Sequence, residues 1–143
     1  MRSQNDKATW SILRFNHRTF TAQLASMQRN KQVAAIPEKY IYIDDCCYKG
    51  NGKIKEIILP SGCRIIGKEA FASCQLRKPV VFPQPVKEIK ESAFSENNSL
   101  REVTFPASLV ILGDYSYKGC AALKTEVFET SSECRRIPEY CFH

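Results

Sequence analysis

No stretch of this chain is apolar for long enough to cross a membrane as a helix, which takes about 20 consecutive residues. Histidine is scarce: the two present, His17 and His143, lie toward opposite ends. A Ser/His/Asp or Cys/His site has to borrow one of them, so nucleophilic catalysis of that kind finds no constellation here. Glycine loops of the Walker or dinucleotide type are absent, as are paired carboxylates at metal-ligand spacing. Asp44 and Asp45 come nearest to a cation site, but adjacent acids in a turn are ordinarily just solvated. The opening residues Met1 to Lys7 lack the apolar core of a secretory signal. A cytoplasmic location is the default expectation, with an Arg/Ser-bearing transit peptide as the weaker alternative. The chain reads as a non-enzyme that takes no cofactor and no metal.

What is present suits one soluble domain, since 143 residues with 43% hydrophobic content can bury a sizeable core. The net charge of +6 is uneven. Within residues 1–32, Arg2, Lys7, Arg14, Arg18, Arg29 and Lys31 face only Asp6, while the remainder is nearly neutral. A basic arm of this kind suits nucleic acid or an anionic membrane; the competing reading is a cap with a solvated positive face. Trp10, Leu13, Phe20, Leu24 and Met27 recur at helical spacing with His17 between them, which favours a partly helical cap over the end of a core. Residues Thr9–Phe15 also alternate as a strand would. Nucleic acid is not the expected partner, because neither a recognition helix nor aromatic–basic interleaving is present.

The dominant feature is a beat of 23 residues, shared by Tyr48, Phe71, Phe94 and Tyr117 and by Pro37, Pro60, Pro83 and Pro106. A fixed period of that length marks stacked repeats that bury one continuous core. Ile36, Leu59, Phe82, Phe105 and Phe128 form one column, and Ala34, Ile57, Val80 and Val103 lie two residues before it. This alternation predicts a short strand with both columns facing inward, ended by a proline that has no N–H to donate. Ile66, Ile89 and Leu112, together with the aromatics, fill the space toward the return segment. Small Ala70, Ala93 and Ser116 mark a close approach of backbone. Each unit reads as a strand, a turn and a short helical or irregular return. Clear units start at Ile54, Leu76 and Leu100, with a degenerate one before them and another from Leu123. The last reaches Ile137, Cys141 and Phe142 two residues late, which implies a two-residue insertion. Residues 33–143 thus hold about five repeats behind a cap over residues 1–32.

From Ile54 to Leu123 the string L-x-x-I-x-(I/L/F)-P…I-G-x-x-A-F-x-x-C resembles the BspA-like class of leucine-rich repeats, and the likeness extends from about Val33 to Phe142. The resemblance implies an α/β repeat solenoid, right-handed and curved, with short parallel strands on the concave face and short helical or irregular returns. Family members are often described at the cell surface. Pro79 inside a strand, Lys90 and Asp44 in place of glycine, and Glu126 and Glu129 in the last unit depart from the pattern.

The seven cysteines are absorbed by the same columns. Cys47 and Cys141 fall in the small-residue column, while Cys63 and Cys134 share a column with Val86 and Leu109. Cys74 and Cys120 alternate with Asn51 and Asn97 at the end of each coil, where Asn bonds turn backbone and a thiol offers a weak donor. Cys74 and Cys120 sit two repeats apart, near 10 Å at about 4.8 Å per strand step, beyond disulfide reach. Six thiols are expected to be buried, and Cys46, outward with Glu69, Ser92 and Tyr115, is the expected reactive one.

Function is left to the surface. The outward strand columns hold Ile58, Val81, Thr104 and Val127, and beside them Glu56, Pro79, Glu102 and Thr125. Leucine-rich repeat solenoids bind partners on the concave strand face, where the first column lays an apolar stripe. A protein partner bound through Ile58, Val81, Thr104, Val127, Glu56 and Glu102 is the leading expectation. The competing view is that β-branched residues simply suit a strand. Self-association through the C-terminal end of the solenoid, or an adhesin-type role as a fragment of a longer repeat protein, is the second expectation. Anion binding by the basic arm is the third.

Overall fold

The structure, a computed structural model, describes residues 24, 25, 27–129, 134, 137, 138 and 140–142. Trp10, Leu13, His17, Phe20 and His143 lie outside them. The described residues form eight short strands: β1 (Val33–Ala35), β2 (Tyr42–Ile43), β3 (Glu56–Ile58), β4 (Ile65–Ile66), β5 (Glu88–Ile89), β6 (Glu102–Phe105), β7 (Ile111–Leu112) and β8 (Thr125–Phe128). Every pairing is parallel and joins a residue to one 23 positions on, such as Ala34 to Ile57, Ile66 to Ile89 and Val103 to Glu126. The beat in the sequence is therefore one turn of a parallel-strand β-solenoid.

Each turn has three sides. The first carries the β1–β3 and β6–β8 pairs, and the second a four-stranded ladder in the order β2-β4-β5-β7. Ile43, Ile66, Ile89 and Leu112 thus belong to a second ladder of strands, where the sequence shows only filler between strand and return. The third side is neither strand nor helix. Its backbone still stacks: Tyr48, Phe71, Phe94 and Tyr117 donate N–H bonds of 2.7–2.8 Å to the carbonyls of Ala70, Ala93, Ser116 and Cys141 in the next turn. This corrects the expected α/β class: the described residues of the repeats contain no helix, and the irregular return is the one that forms. The reason is local. Cys46, Glu69, Ser92 and Tyr115 all hold φ between 56° and 61°, and Gly50, Ser73, Glu96 and Gly119 form a second left-handed column. Two left-handed residues per turn break any helical run, at roughly 1–2 kcal/mol for each non-glycine.

The core is built from the columns. Tyr48, Phe71, Phe94, Tyr117 and Phe142 stack in sequence with centroids 5.3, 5.4, 5.2 and 5.8 Å apart. A second stack of Phe82, Phe105 and Phe128 meets the first edge-on, at 5.8 Å for Phe82–Phe94 and 5.6 Å for Phe105–Tyr117. Offset and edge-to-face pairs of this kind add to the burial term. Phe142 and Cys141 take their columns 25 residues after Tyr117 and Ser116, the two-residue offset read from the sequence. Gly67 and Gly113 are needed because a Cβ there would lie 2.5 Å from the Ile43 carbonyl oxygen and the Glu91 nitrogen, in the turn before.

Two placements differ from expectation at the ends and in the middle. Leu24 packs against the core, but Met27, assigned to the same stripe, is 79% exposed. In the third repeat Val80 and Phe82 are buried, yet residues 80–82 pair with neither neighbouring strand. Leu76 fills the place of Ile54 and Leu100, but three residues separate it from Val80 where two suffice in the other turns. The carbonyl of Lys55 accepts from Arg77 and Lys78, as that of Gln32 accepts from Lys55 and Glu56 and that of Arg101 from Lys124 and Thr125. Arg77 therefore occupies the column of Lys55, Lys78 that of Glu56, and Pro79 is an extra residue. Pro79 does not stand in the Glu56 column, and its missing N–H coincides with the gap in the ladder.

Candidate partner-binding face

On the first side, residues flanking the buried ones point to solvent because strand side chains alternate. Ile58 is 51% exposed, Val81 82% and Val127 43%, and Thr104 is exposed as well. Ala35 is exposed opposite Ile58, and Thr104 faces Val127 across the β6–β8 pair. Ala35–Ile58 and Thr104–Val127 are thus adjacent pairs, with exposed Val81 between them in the 23-residue register, so the outward column gains one residue on the expectation. Glu102 is exposed. Glu56 is half-buried and paired with Lys78 at 3.4 Å, so its carboxylate is already engaged within the chain.

Beside the stripe lies a column that sequence counting missed. Lys55, Arg77, Arg101 and Lys124 follow one another through the turns, the last three exposed and Lys55 half-buried, with its ammonium donating to the Gly52 carbonyl at 3.3 Å. Counting by 23 from Lys55 reaches Lys78 instead of Arg77, because one residue fewer separates Cys74 from Leu76 than Asn51 from Ile54, and Pro79 restores the period only afterwards. Exposed apolar residues on the second ladder also escaped: Ile41, Val110 and Ile111 are exposed and Tyr42 and Ile65 half-buried, in two columns interrupted by Arg64, Lys87 and Glu88.

The thiols and acids of the sequence sort plainly. No disulfide joins any of the seven cysteines. Cys63, Cys74, Cys120 and Cys141 are buried and Cys46 exposed, but Cys47 and Cys134 are only half-buried, so four and not six are core. Cys74 and Cys120 donate to the Tyr48 and Phe94 carbonyls at 3.2 Å, and buried Asn97 donates to those of Phe71 and Phe94 at 2.9 and 2.8 Å. Asn and Cys thus do the same work in one column. Burial pushes the thiols of Cys63 and Cys74 up to about 12 and those of Cys120 and Cys141 to about 11, which keeps them protonated and inert. Asp45 accepts the Lys68 N–H at 2.8 Å, a turn-stacking bond. Among the described residues no cluster of His, Cys, Asp or Glu is arranged to hold a metal ion.

A family model described as the BspA type leucine-rich repeat region matches residues 25–143 in 6 copies. The chain belongs to this family. Solved structures share its architecture. The pneumococcal vaccine antigen PcpA superposes with a TM-score of 0.68 at 24% identity, over 73% of this chain and 26% of that one. A leucine-rich repeat protein from Bacteroides ovatus gives 0.62 at 22% identity over 76% and 33%, and a leucine-rich cell surface protein from Faecalibacterium prausnitzii 0.61 at 15% over 70% and 32%. At these identities the likeness is one of fold, and this BspA-type chain spans about a third or less of each relative. No curated protein matches it. Among the described residues no helix is long and apolar enough to cross a membrane.

Proposed function

We propose that this chain is a non-catalytic, protein-binding leucine-rich repeat module whose partner docks on the first strand side, the concave face expected of the family. The observation that carries this reading is the exposed row Ala35, Ile58, Val81, Thr104 and Val127. Exposed aliphatic side chains in one register column make a natural interface centre. Glu102 sits at the rim of that site, and Glu56 serves it by fixing Lys78. Capture of a partner from the native source by the chain, and its loss in the Ile58→Lys/Val81→Lys variant, is the expected result. Equal capture by both forms removes the stripe from the site.

A second reading is an adhesin-type or self-associating segment of a longer repeat protein. It draws on the short span relative to the solved relatives, one of which is described as a cell surface protein. A mass in sedimentation that rises with concentration supports it, and a strict monomer counts against it. Anion binding by the arm of residues 1–32 rests on sequence charge alone. Identical retention on nucleic acid and acidic liposomes by the full chain and by one lacking the arm removes that reading.

A further inference from the structure

A column of basic residues runs along one edge of the face assigned above; the shorter step from Cys74 to Leu76 brings Arg77 into it, and the extra Pro79 keeps Arg101 in line. Lys55, Arg77, Arg101 and Lys124 stand in one column through successive turns. Lys78 lies one residue further along and spends its charge on Glu56. Arg77, Arg101 and Lys124 are exposed, and none of the three is in an ion pair among the described residues. The carboxylates on the same side are Glu56, Glu102 and Glu126, so the edge stays net positive after all are counted.

Geometry selects the shape of what fits. Successive turns are about 4.8 Å apart, so the cation column and the apolar row each repeat at about that interval along the solenoid axis. An α-helix lying along the axis presents one residue per turn of its own at about 5.4 Å, within the reach of flexible lysine and arginine side chains. An extended segment presents same-side residues only every ~6.6–6.8 Å and falls out of register over three steps. Lys55 lies three residue steps before Ile58, about 10 Å at ~3.3 Å per step, which is the width of one helix.

We propose, building on the docking face assigned above, that the partner element is an amphipathic acidic helix laid along the solenoid axis. Its apolar stripe sits on Ile58, Val81 and Val127, and its row of carboxylates faces Lys55, Arg77, Arg101 and Lys124. The test titrates the full chain with a labelled synthetic helical peptide carrying leucine and glutamate rows at i, i+4 and i+7. A scrambled peptide of equal composition and a single-stranded oligonucleotide are run beside it. The helical peptide is expected to bind more tightly than the scramble and to weaken as salt rises from about 0.05 to 0.3 M. The Arg77→Glu/Arg101→Glu variant is expected to lose at least about tenfold in affinity for it. Equal binding of helix and scramble, or tighter binding of the oligonucleotide, overturns the proposal. If Ile58→Lys/Val81→Lys abolishes binding while the arginine reversal does not, the face stands and the acidic helix falls. If only the arginine reversal matters, the apolar row is not the docking surface.

Discussion

Asn97 is the residue whose removal tests the packing argument most sharply. It is fully buried, its Oδ1 accepts the Leu76 N–H at 3.2 Å, and its Nδ2 donates to the Phe71 and Phe94 carbonyls at 2.9 and 2.8 Å. The Phe94 carbonyl has a second donor in the Cys120 thiol. Alanine therefore orphans two groups outright, the Leu76 N–H and the Phe71 carbonyl, and leaves a small void. At about 1–3 kcal/mol for each buried unpaired group, Asn97→Ala is expected to lose about 3–5 kcal/mol. Cysteine at the same place can donate to the Phe71 carbonyl as Cys74 does to that of Tyr48, leaving one orphan. Asn97→Cys is expected to recover about 1–2 kcal/mol of that loss. Urea denaturation followed by far-ultraviolet circular dichroism measures both, with the slope unchanged and the midpoint falling in the order native, cysteine, alanine. Equal midpoints for the two variants, or a loss below about 1 kcal/mol for alanine, would refute the claim that this column carries backbone hydrogen bonds.

The remaining expectations address other parts of the coil. Gly67→Ala places a methyl 2.5 Å from the Ile43 carbonyl oxygen, whereas Gly52→Ala meets only the Gln75 side chain at 3.6 Å. The first is expected to lose about 2 kcal/mol or more and the second to change little, as read by thermal melting. The Tyr117 hydroxyl is buried without a hydrogen-bond partner, so Tyr117→Phe is expected to leave stability equal or raise it by about 1 kcal/mol. Burial holds the thiols of Cys63 and Cys74 at about 12 and those of Cys120 and Cys141 at about 11, against an ordinary 9.0. The folded chain keeps these protons when the unfolded chain has released them. Stability is therefore full below the unfolded value and falls as pH rises from about 9 toward 12, with Cys63→Val flattening the fall. Thiol labelling of the folded chain at pH 8 is expected to show its fastest phase at Cys46, and Cys46→Ser removes that phase.

Much of the fold was legible because parallel stacking turns a period into columns. Phe71, Phe94 and Tyr117 had to lie over one another once Pro60, Pro83 and Pro106 kept the same interval. The second ladder was not legible, because strands as short as Tyr42–Ile43 and Ile65–Ile66 show no alternation of their own. The helical alternative for the return fell to left-handed backbone at Cys46, Glu69, Ser92 and Tyr115, residue types that do not announce positive φ. The outward strand column Ile58, Val81, Thr104 and Val127 was legible as exposed, because its neighbours' burial dictates it. Its basic edge was hidden by compensation: one residue fewer between Cys74 and Leu76 and one more before Val80 leave the overall period intact.

Lysine acetylation footprinting of the chain with and without its captured partner tests the docking face most directly. Lys55, Lys78 and Lys124 flank the apolar row, while Lys68, Lys87 and Lys90 lie on the other sides of the coil. The account predicts protection of the first three on binding and unchanged labelling of the others. Protection of Lys87 and Lys68 with Lys55 and Lys124 still reactive would place the partner on the second ladder, beside Ile65 and Ile111, and contradict it.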